Sequence, residues 1–319
     1  MQSVVQHAEL SRLPGLVATQ IDPGLLELLA CPKCQAALMQ GLRGLKCTGC
    51  MSSYEVKQGI PIVLPDTNTE HFKEEPNFAQ TIESRERLPE EPFNLNQWTL
   101  SKREFFAMVR SVVTGQQKKF VNIGCGFDPS FVEFEERGHT FVNMDLVFDM
   151  LANLQKELGA KSCVNGNVNS MPLKAGAFDY VISIDVIHQE CERLPELLGS
   201  FRDLLKPRGT LFLEDPNAWG LFQMAKSIFM PRVVYKSLRS TYHVLKRSTH
   251  RPADHKSPTN VWRVMAILRD LGFEDIKCYP HTAYPTVSER SHRIYRSLSG
   301  SEFVRRYHNY HYMLSAVRA

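Results

Sequence analysis

The chain has 319 residues, 43% of them hydrophobic and 23% charged, with a formal net charge of +4. That length fits one large or two unequal domains, and the ordinary apolar share excludes disordered, collagen-like and coiled-coil classes. A mild positive balance does not by itself imply nucleic acid. No stretch approaches the run of about eighteen apolar residues that a spanning helix needs. The opening MQSVVQHAELSRLPG lacks a charged start followed by an apolar run, so residues 1–20 read as a flexible lead-in and not as a secretory signal. Of eight cysteines, four sit in one block, and Cys125, Cys163, Cys191 and Cys278 are scattered singly. Disulfide frameworks belong to small secreted domains; this distribution reads as a cytoplasmic chain with one metal site.

Residues 21–65 carry that block. Cys31-x-x-Cys34 and Cys47-x-x-Cys50 are separated by twelve residues. A pair two residues apart wraps both thiolates around one ion, and a β-excursion of about a dozen residues returns the second pair to the opposite side. Four cysteines fill all four tetrahedral corners, so the zinc expected here is structural and not catalytic. Leu45 and Tyr54–Val56 read as short strands. So small a unit buries little core, and the metal is expected to decide whether it folds. The order Leu-Leu-x-x-Leu-Ala-Cys-Pro-x-Cys, Cys-x-x-Cys, then Tyr-x-Val-x-x-Gly-Ile-Pro-Ile-Val-Leu resembles the small zinc-ribbon activator subunit of tRNA, rRNA and release-factor methyltransferases. The resemblance covers about residues 24–64 and implies a ribbon that docks on a methyltransferase and stabilises it.

Residues 66–96 read as an acidic linker; the stretch 66–91 holds eight acids against three bases, with Pro76 and Pro89. Helical spacing follows over 97–113. Phe120–Ile123 then reads as a buried strand running into the turn Gly124-Cys125-Gly126, with a helix start near Pro129. Glycines there let a backbone approach a ligand, and a helix N-terminus favours polar or anionic groups. Twenty-one residues after Gly124, the strand Thr140–Met144 ends at Asp145, placed to accept hydrogen bonds from both hydroxyls of a ribose.

The further runs Val164–Leu173, Phe178–His188 and Leu204–Asn217 complete a linked pattern over residues 118–217. It resembles class I S-adenosylmethionine-dependent methyltransferases of the ubiquinone/menaquinone type (type 11). The implied fold is α/β: a Rossmann-like seven-stranded methyltransferase sheet over 97–319, carrying a small N-terminal zinc ribbon. The resemblance implies that Gly124, Cys125 and Gly126 face the methionine portion of S-adenosylmethionine and that Asp145 holds the ribose. Leu146 would pack the adenine, Asn167 would accept from its amino group, and the Val168 N–H would reach a ring nitrogen. The strand end at Asp185 would hold the cofactor's ammonium end. Two positions depart from the family pattern: Asn122 stands where an acid is common, and Asp128 where a third glycine is usual. Asp128 reads as a cap for the following helix.

Methyl transfer from a sulfonium demands alignment above all, and a base helps when the acceptor carries a proton. His188, just past the fourth strand, is the candidate base, with a structural histidine as the alternative reading. The Asn-Pro-Pro-Tyr run of amine and amide methylases is absent after that strand, which disfavours adenine or glutamine. Asp215-Pro216-Asn217 reads as a turn. Residues 216–256 form a basic lid insertion; the stretch 216–253 holds seven Lys/Arg and no acid. Within 231–247, Val234, Leu238, Tyr242 and Leu245 share one helical face and the basic residues the opposite one. Contact with solvent, an anionic membrane surface or RNA phosphate would each suit that face. Phe273–Tyr279 and His311–Val317 read as the sixth and the antiparallel seventh strand, and the alternation of Tyr307, Tyr310 and Tyr312 is assigned to the latter. The leading reading is a methyltransferase of a small-molecule, lipid- or sugar-linked acceptor. The alternatives are an RNA methyltransferase and a non-catalytic scaffold.

Overall fold

The computed structural model describes residues 21–41, 44–65, 92–221, 224, 258–281, 297 and 300–319. The expected lead-in, most of the acidic linker and the basic helix at 231–247 lie outside these residues. Among the described residues no helix is long and apolar enough to cross a membrane.

In chain order, helix α1 (Pro23–Leu26) precedes strands β1 (Leu38–Gly41), β2 (Gly44–Cys47), β3 (Ser53–Lys57) and β4 (Ile60–Val63). Then come α2 (Pro92–Val112), β5 (Lys119–Ile123), α3 (Phe131–Glu136), β6 (Thr140–Asp145), α4 (Phe148–Leu158), β7 (Ser162–Gly166) and β8 (Phe178–Ile184). A 3-10 turn (Ile187–Arg193) leads into α5 (Leu194–Leu204) and β9 (Leu205–Pro216). The last elements are α6 (Val261–Asp270), β10 (Phe273–Tyr279), α7 (Glu302–Tyr307) and β11 (His311–Arg318). The strand order is β1-β2-β3-β4-β7-β6-β5-β8-β9-β11-β10. Among the described residues the sheet therefore has eleven strands, not the seven expected. The seven of the α/β part are β5 to β11, and the four N-terminal strands β1 to β4 extend them because β4 pairs with β7 in parallel, Ile62 opposite Asn165 and Val63 opposite Gly166. The antiparallel strand is where the sequence placed it, since β11 runs antiparallel to both β9 and β10. Tyr307 is not part of it: it lies in α7, stacked on Trp262 at 4.4 Å.

The chain divides into two compact units. The first comprises Met1–Pro65, Cys125–Glu136 and Thr140–Lys174, and the second Asp66–Gly124, Arg137–His139 and Ala175–Ala319. In the first unit residues 21–65 are tied to the segment after β7 at several points. Ala30 N–H donates to Pro172 O (2.9 Å) and Lys174 N–H to Leu28 O (2.9 Å). The Gln35 side-chain amide donates to Met171 O (3.0 Å). Leu25, Leu29, Ile60 and Val63 are buried, in a stretch of residues that by itself would bury little core. In the second unit β5 and β8 are almost wholly buried, as continuous apolar runs in parallel sheets are. Tyr180 stacks on Phe120 (4.7 Å) and on Phe212 (5.9 Å) across three neighbouring strands. Helix α5 buries Leu194, Leu197, Leu198, Phe201 and Leu204, the stripe of an amphipathic helix. Helix α6 opens at Asn260, whose side chain accepts from Trp262 N–H (2.9 Å).

Candidate functional site

In the first unit the glycine turn and the carboxylate meet. Cys125 N–H donates to Met144 O (3.1 Å), carrying the turn alongside the end of β6. Gly126 N–H donates to Asp145 Oδ2 (2.8 Å), and Val147 N–H to Asp145 Oδ1 (2.9 Å). Each carboxylate oxygen thus accepts from a backbone donor. Gly126 sits at φ +53, and a Cβ built on it would meet nothing within 4 Å, so the backbone borders open space. Leu146, beside the carboxylate, is 39% exposed, apolar surface offered to a ligand.

Asn165 is the residue that sequence reasoning missed here. Buried on β7, it spends both amide protons on Asp145 O (3.1 Å) and Leu146 O (2.9 Å), pinning the backbone on which the carboxylate and the leucine stand. A carboxamide residue in a wholly buried parallel strand is the signal that could have found it. Two residues on, Asn167 and Val168 open a tight turn in which the Asn167 side-chain oxygen accepts from Asn169 N–H (2.9 Å). That oxygen thus has a local partner as well as a free lone pair. Asp128 Oδ1 accepts from Ser130 N–H (3.0 Å) and Oγ (2.7 Å), a cap for the turn entering α3.

In the second unit Gly124 sits at φ +66, and a Cβ there would lie 2.3 Å from Val186 Cγ2. Only glycine fits that close approach. Asp185 ends β8 in a left-handed conformation (φ 58), its N–H donating to Glu214 O (2.9 Å). Around it lies a buried polar cluster. His188 Nδ1 is 3.0 Å from Asp215 Oδ1, and the Gln189 amide nitrogen is 2.9 Å from His188 Nε2. Thr259 Oγ1 donates to Asp215 Oδ2 (2.9 Å) and lies 2.7 Å from Tyr312 OH. Glu214 Oε1 accepts from His281 Nε2 (3.3 Å) and His311 Nδ1 (3.2 Å), and His311 Nδ1 lies 3.7 Å from Asp185.

Burial sets the electrostatics of this cluster. It opposes charge on His188, but the hydrogen bond and charge of Asp215, with Asp185, hold the imidazole above its usual value. Burial raises the Asp215 carboxyl above its ordinary range, and His188 and Thr259 oppose that only in part. Burial would also raise Glu214, yet the two histidines hold it well below the usual carboxylate range. His311 is raised to about 9: burial works against its charge, and Asp185 and Glu214 outweigh it. Asp215, which the sequence reads as part of a turn, is instead the last buried side chain of β9. Two acids at the C-terminal end of a parallel strand, where open α/β sheets bind ligands, are the signal that was available. Asp185, His188 and Asp215 also offer donor atoms within 4.8 Å of one another. The shared line between His188 Nδ1 and Asp215 Oδ1 has hydrogen-bond length, so a proton accounts for it.

The four block cysteines come together in the first unit, their Sγ atoms within 4.8 Å of one another. Cys31 and Cys50 are 3.6 Å apart, and Cys34 and Cys47 3.4 Å. A tetrahedral ion with metal–sulfur bonds of about 2.3 Å sets its corners about 3.8 Å apart, so the set fits zinc in size and softness. Cys47 Sγ also accepts from Gly49 N–H (3.3 Å) and Cys50 N–H (3.4 Å), partners that suit a thiolate.

Residues 121–213 match the family model described as a methyltransferase domain. No curated protein matches the chain. Among solved structures it is similar to a SAM-dependent methyltransferase from Archaeoglobus fulgidus, with 20% identity and a TM-score of 0.46 over 70% of this chain and 94% of that one. It is also similar to a SAM-dependent methyltransferase from Thermotoga maritima, with 12% identity and a TM-score of 0.49 over 76% and 98%. A third is phosphoethanolamine N-methyltransferase 2 from Haemonchus contortus, with 17% identity and a TM-score of 0.44 over 68% and 52%. Over residues 121–213 the chain thus resembles a methyltransferase domain.

Proposed function

We propose that this methyltransferase domain acts on a small-molecule, lipid- or sugar-linked acceptor that carries a proton at the methylated atom. S-adenosylmethionine supplies a methyl group activated by its sulfonium. The residues that would hold it are Gly124, Cys125 and Gly126 at the methionine portion, Asp145 at the ribose, Leu146, Asn167 and Val168 at the adenine, and Asp185 at the ammonium end. The observation that carries this reading is the hydrogen bond from Gly126 N–H to Asp145 Oδ2, which closes the turn onto the carboxylate. Asp145 would then accept from the ribose hydroxyls, since a carboxylate oxygen can accept more than one hydrogen bond.

His188 is the base. With Nδ1 paired to Asp215, its Nε2 would take the acceptor's proton, while S-adenosylmethionine held by the residues named above would supply the methyl group. Such a base contributes about 10²–10⁴-fold, and alignment of the two partners more. The four cysteines hold a structural zinc: all four positions are thiolates, leaving none open for a water or substrate.

The test is calorimetric titration with S-adenosylmethionine and S-adenosylhomocysteine, followed by transfer of labelled methyl to pooled small-molecule extracts by the wild type and His188→Gln. Binding of both ligands, and label transfer that drops at least a hundredfold in the variant, is the expected outcome. Absence of binding at millimolar ligand overturns the enzymatic reading, and undiminished transfer by His188→Gln removes the base.

A further inference from the structure

We propose that Thr259 and Tyr312 are positioning residues for this reaction: through Asp215 they fix His188 in the tautomer that presents an Nε2 lone pair to the acceptor. The inference rests on the reading of His188 as the base, and it names two residues with no partner in any motif.

The direction of each hydrogen bond follows from what the groups can donate. The Asp215 carboxylate is wholly buried and, ionised, only accepts. Thr259 has one hydroxyl proton and stands 2.9 Å from Asp215 Oδ2, so it donates there; its other neighbour, Pro216 O, is farther at 3.4 Å. Having spent its proton, Thr259 Oγ1 accepts from Tyr312 OH at 2.7 Å. The second carboxylate oxygen, Oδ1, faces His188 Nδ1 at 3.0 Å and requires a donor, so the ring carries its proton on Nδ1. An independent contact gives the same answer at the far side of the ring. The Gln189 side-chain nitrogen, 2.9 Å from Nε2, only donates, so Nε2 is an acceptor. The acceptor's protonated group takes the place of that amide.

The elements bearing these groups explain why the relay holds its shape. Asp215 and Tyr312 are directly opposite each other on β9 and β11, and Thr259 is bridged to Asn217 just past β9, its N–H donating to Pro216 O (3.1 Å). Thr259, Tyr312 and Asp215 are all buried, so no water competes for these bonds. Asp185 at the end of β8 and His311 on β11 also act electrostatically on His188.

The experiment reads the ring directly and needs no acceptor. In the full chain labelled with 15N-histidine, long-range proton–nitrogen spectra report the His188 tautomer across a pH series, His188→Gln serving to assign the resonances. The wild type is expected in the Nδ1–H form when neutral. Thr259→Val and Tyr312→Phe should lower the Nδ1–H preference, by about tenfold for the former, the ratio one buried hydrogen bond controls. Thr259→Ser, which keeps the hydroxyl, should restore it. Should Thr259→Val fold poorly, Tyr312→Phe, which removes only a hydroxyl, carries the test. An unchanged tautomer ratio in both variants, or a wild-type ring protonated on Nε2, overturns the proposal. Broadening of these resonances by micromolar Mn²⁺ also overturns it, because Nδ1 would then be a metal ligand. Failure of the base reading shows elsewhere, as undiminished methyl transfer by His188→Gln.

Discussion

Replacing Asp145 by Asn tests the cofactor site at the atom on which it turns. The carboxylate accepts from two backbone donors, Gly126 N–H on Oδ2 and Val147 N–H on Oδ1. An amide keeps one oxygen and offers a second set of donors, so one of those backbone N–H groups faces another donor and loses its partner, at about 1–3 kcal/mol. The loss toward a ligand is of similar size. Ribose hydroxyls that donate to a carboxylate form charge-assisted bonds of about 1.5–3 kcal/mol, and a neutral amide returns about half of that at best. Affinity should therefore fall roughly 10–150-fold, the free-energy difference converted at about 1.4 kcal/mol per tenfold. Because S-adenosylmethionine and S-adenosylhomocysteine share the ribose, both should weaken together. Calorimetric titration of each, with thermal melting to show that the variant folds, measures this. Affinities within twofold of wild type in a folded Asp145→Asn variant would refute the site assignment, and so would a loss confined to one of the two ligands.

Zinc removal by a chelator, or Cys31→Ser, should unfold β1 to β4 and also loosen the edge of β7, since β4 pairs there; hydrogen exchange over residues 21–65 and 162–174 reads both, and full protection in the metal-free protein would contradict it. Gly124→Ala should lower the melting temperature by an amount equivalent to about 1–3 kcal/mol, because φ is +66 and the new Cβ would stand 2.3 Å from Val186 Cγ2; an unchanged melt would show that the turn is not so constrained. His311 is raised to about 9 in the folded chain from an ordinary 6.5, so its contribution to stability is complete below about pH 6.5 and is lost as pH rises toward 9. At about 1.36 kcal/mol per unit, that is on the order of 3 kcal/mol; urea unfolding at both ends of the window should show it in the wild type and not in His311→Gln, and equal slopes in the two proteins would count against the cluster.

What the sequence disclosed and what it withheld divide along a physical line. The strand Lys119–Ile123, the positive-φ glycines after it and the acid ending Thr140–Asp145 are local: each is set by the residues next to it, and each stands where the pattern puts it. Helix α2 starts five residues ahead of its expected beginning, at Pro92, a residue suited to a first turn. The cysteine block likewise encloses its own geometry. The features that sequence reasoning missed are those whose partners are distant in the chain. In the sequence Gly59-Ile60-Pro61 only closes the cysteine-block pattern, and nothing in it announces that Ile62 next to it pairs in parallel with Asn165, about a hundred residues on.

Asp215 shows the same limit at a functional position. Asp-Pro-Asn has turn chemistry, and by local preference the chain should leave the sheet there. Strand β11 overrides that preference by pairing alongside, Tyr312 opposite Asp215 and His311 opposite Pro216, so the strand continues and the carboxylate is buried. Once buried it requires donors, and they come from three separate segments: His188 after β8, Thr259 before α6 and, through Thr259, Tyr312 on the last strand. No window of sequence contains more than one of those partners. The tautomer of His188, and with it the capacity to accept a proton, is therefore a property of how β9 and β11 pair, and substitutions in the C-terminal strand should alter the reactivity of His188 although they lie more than a hundred residues away in the chain.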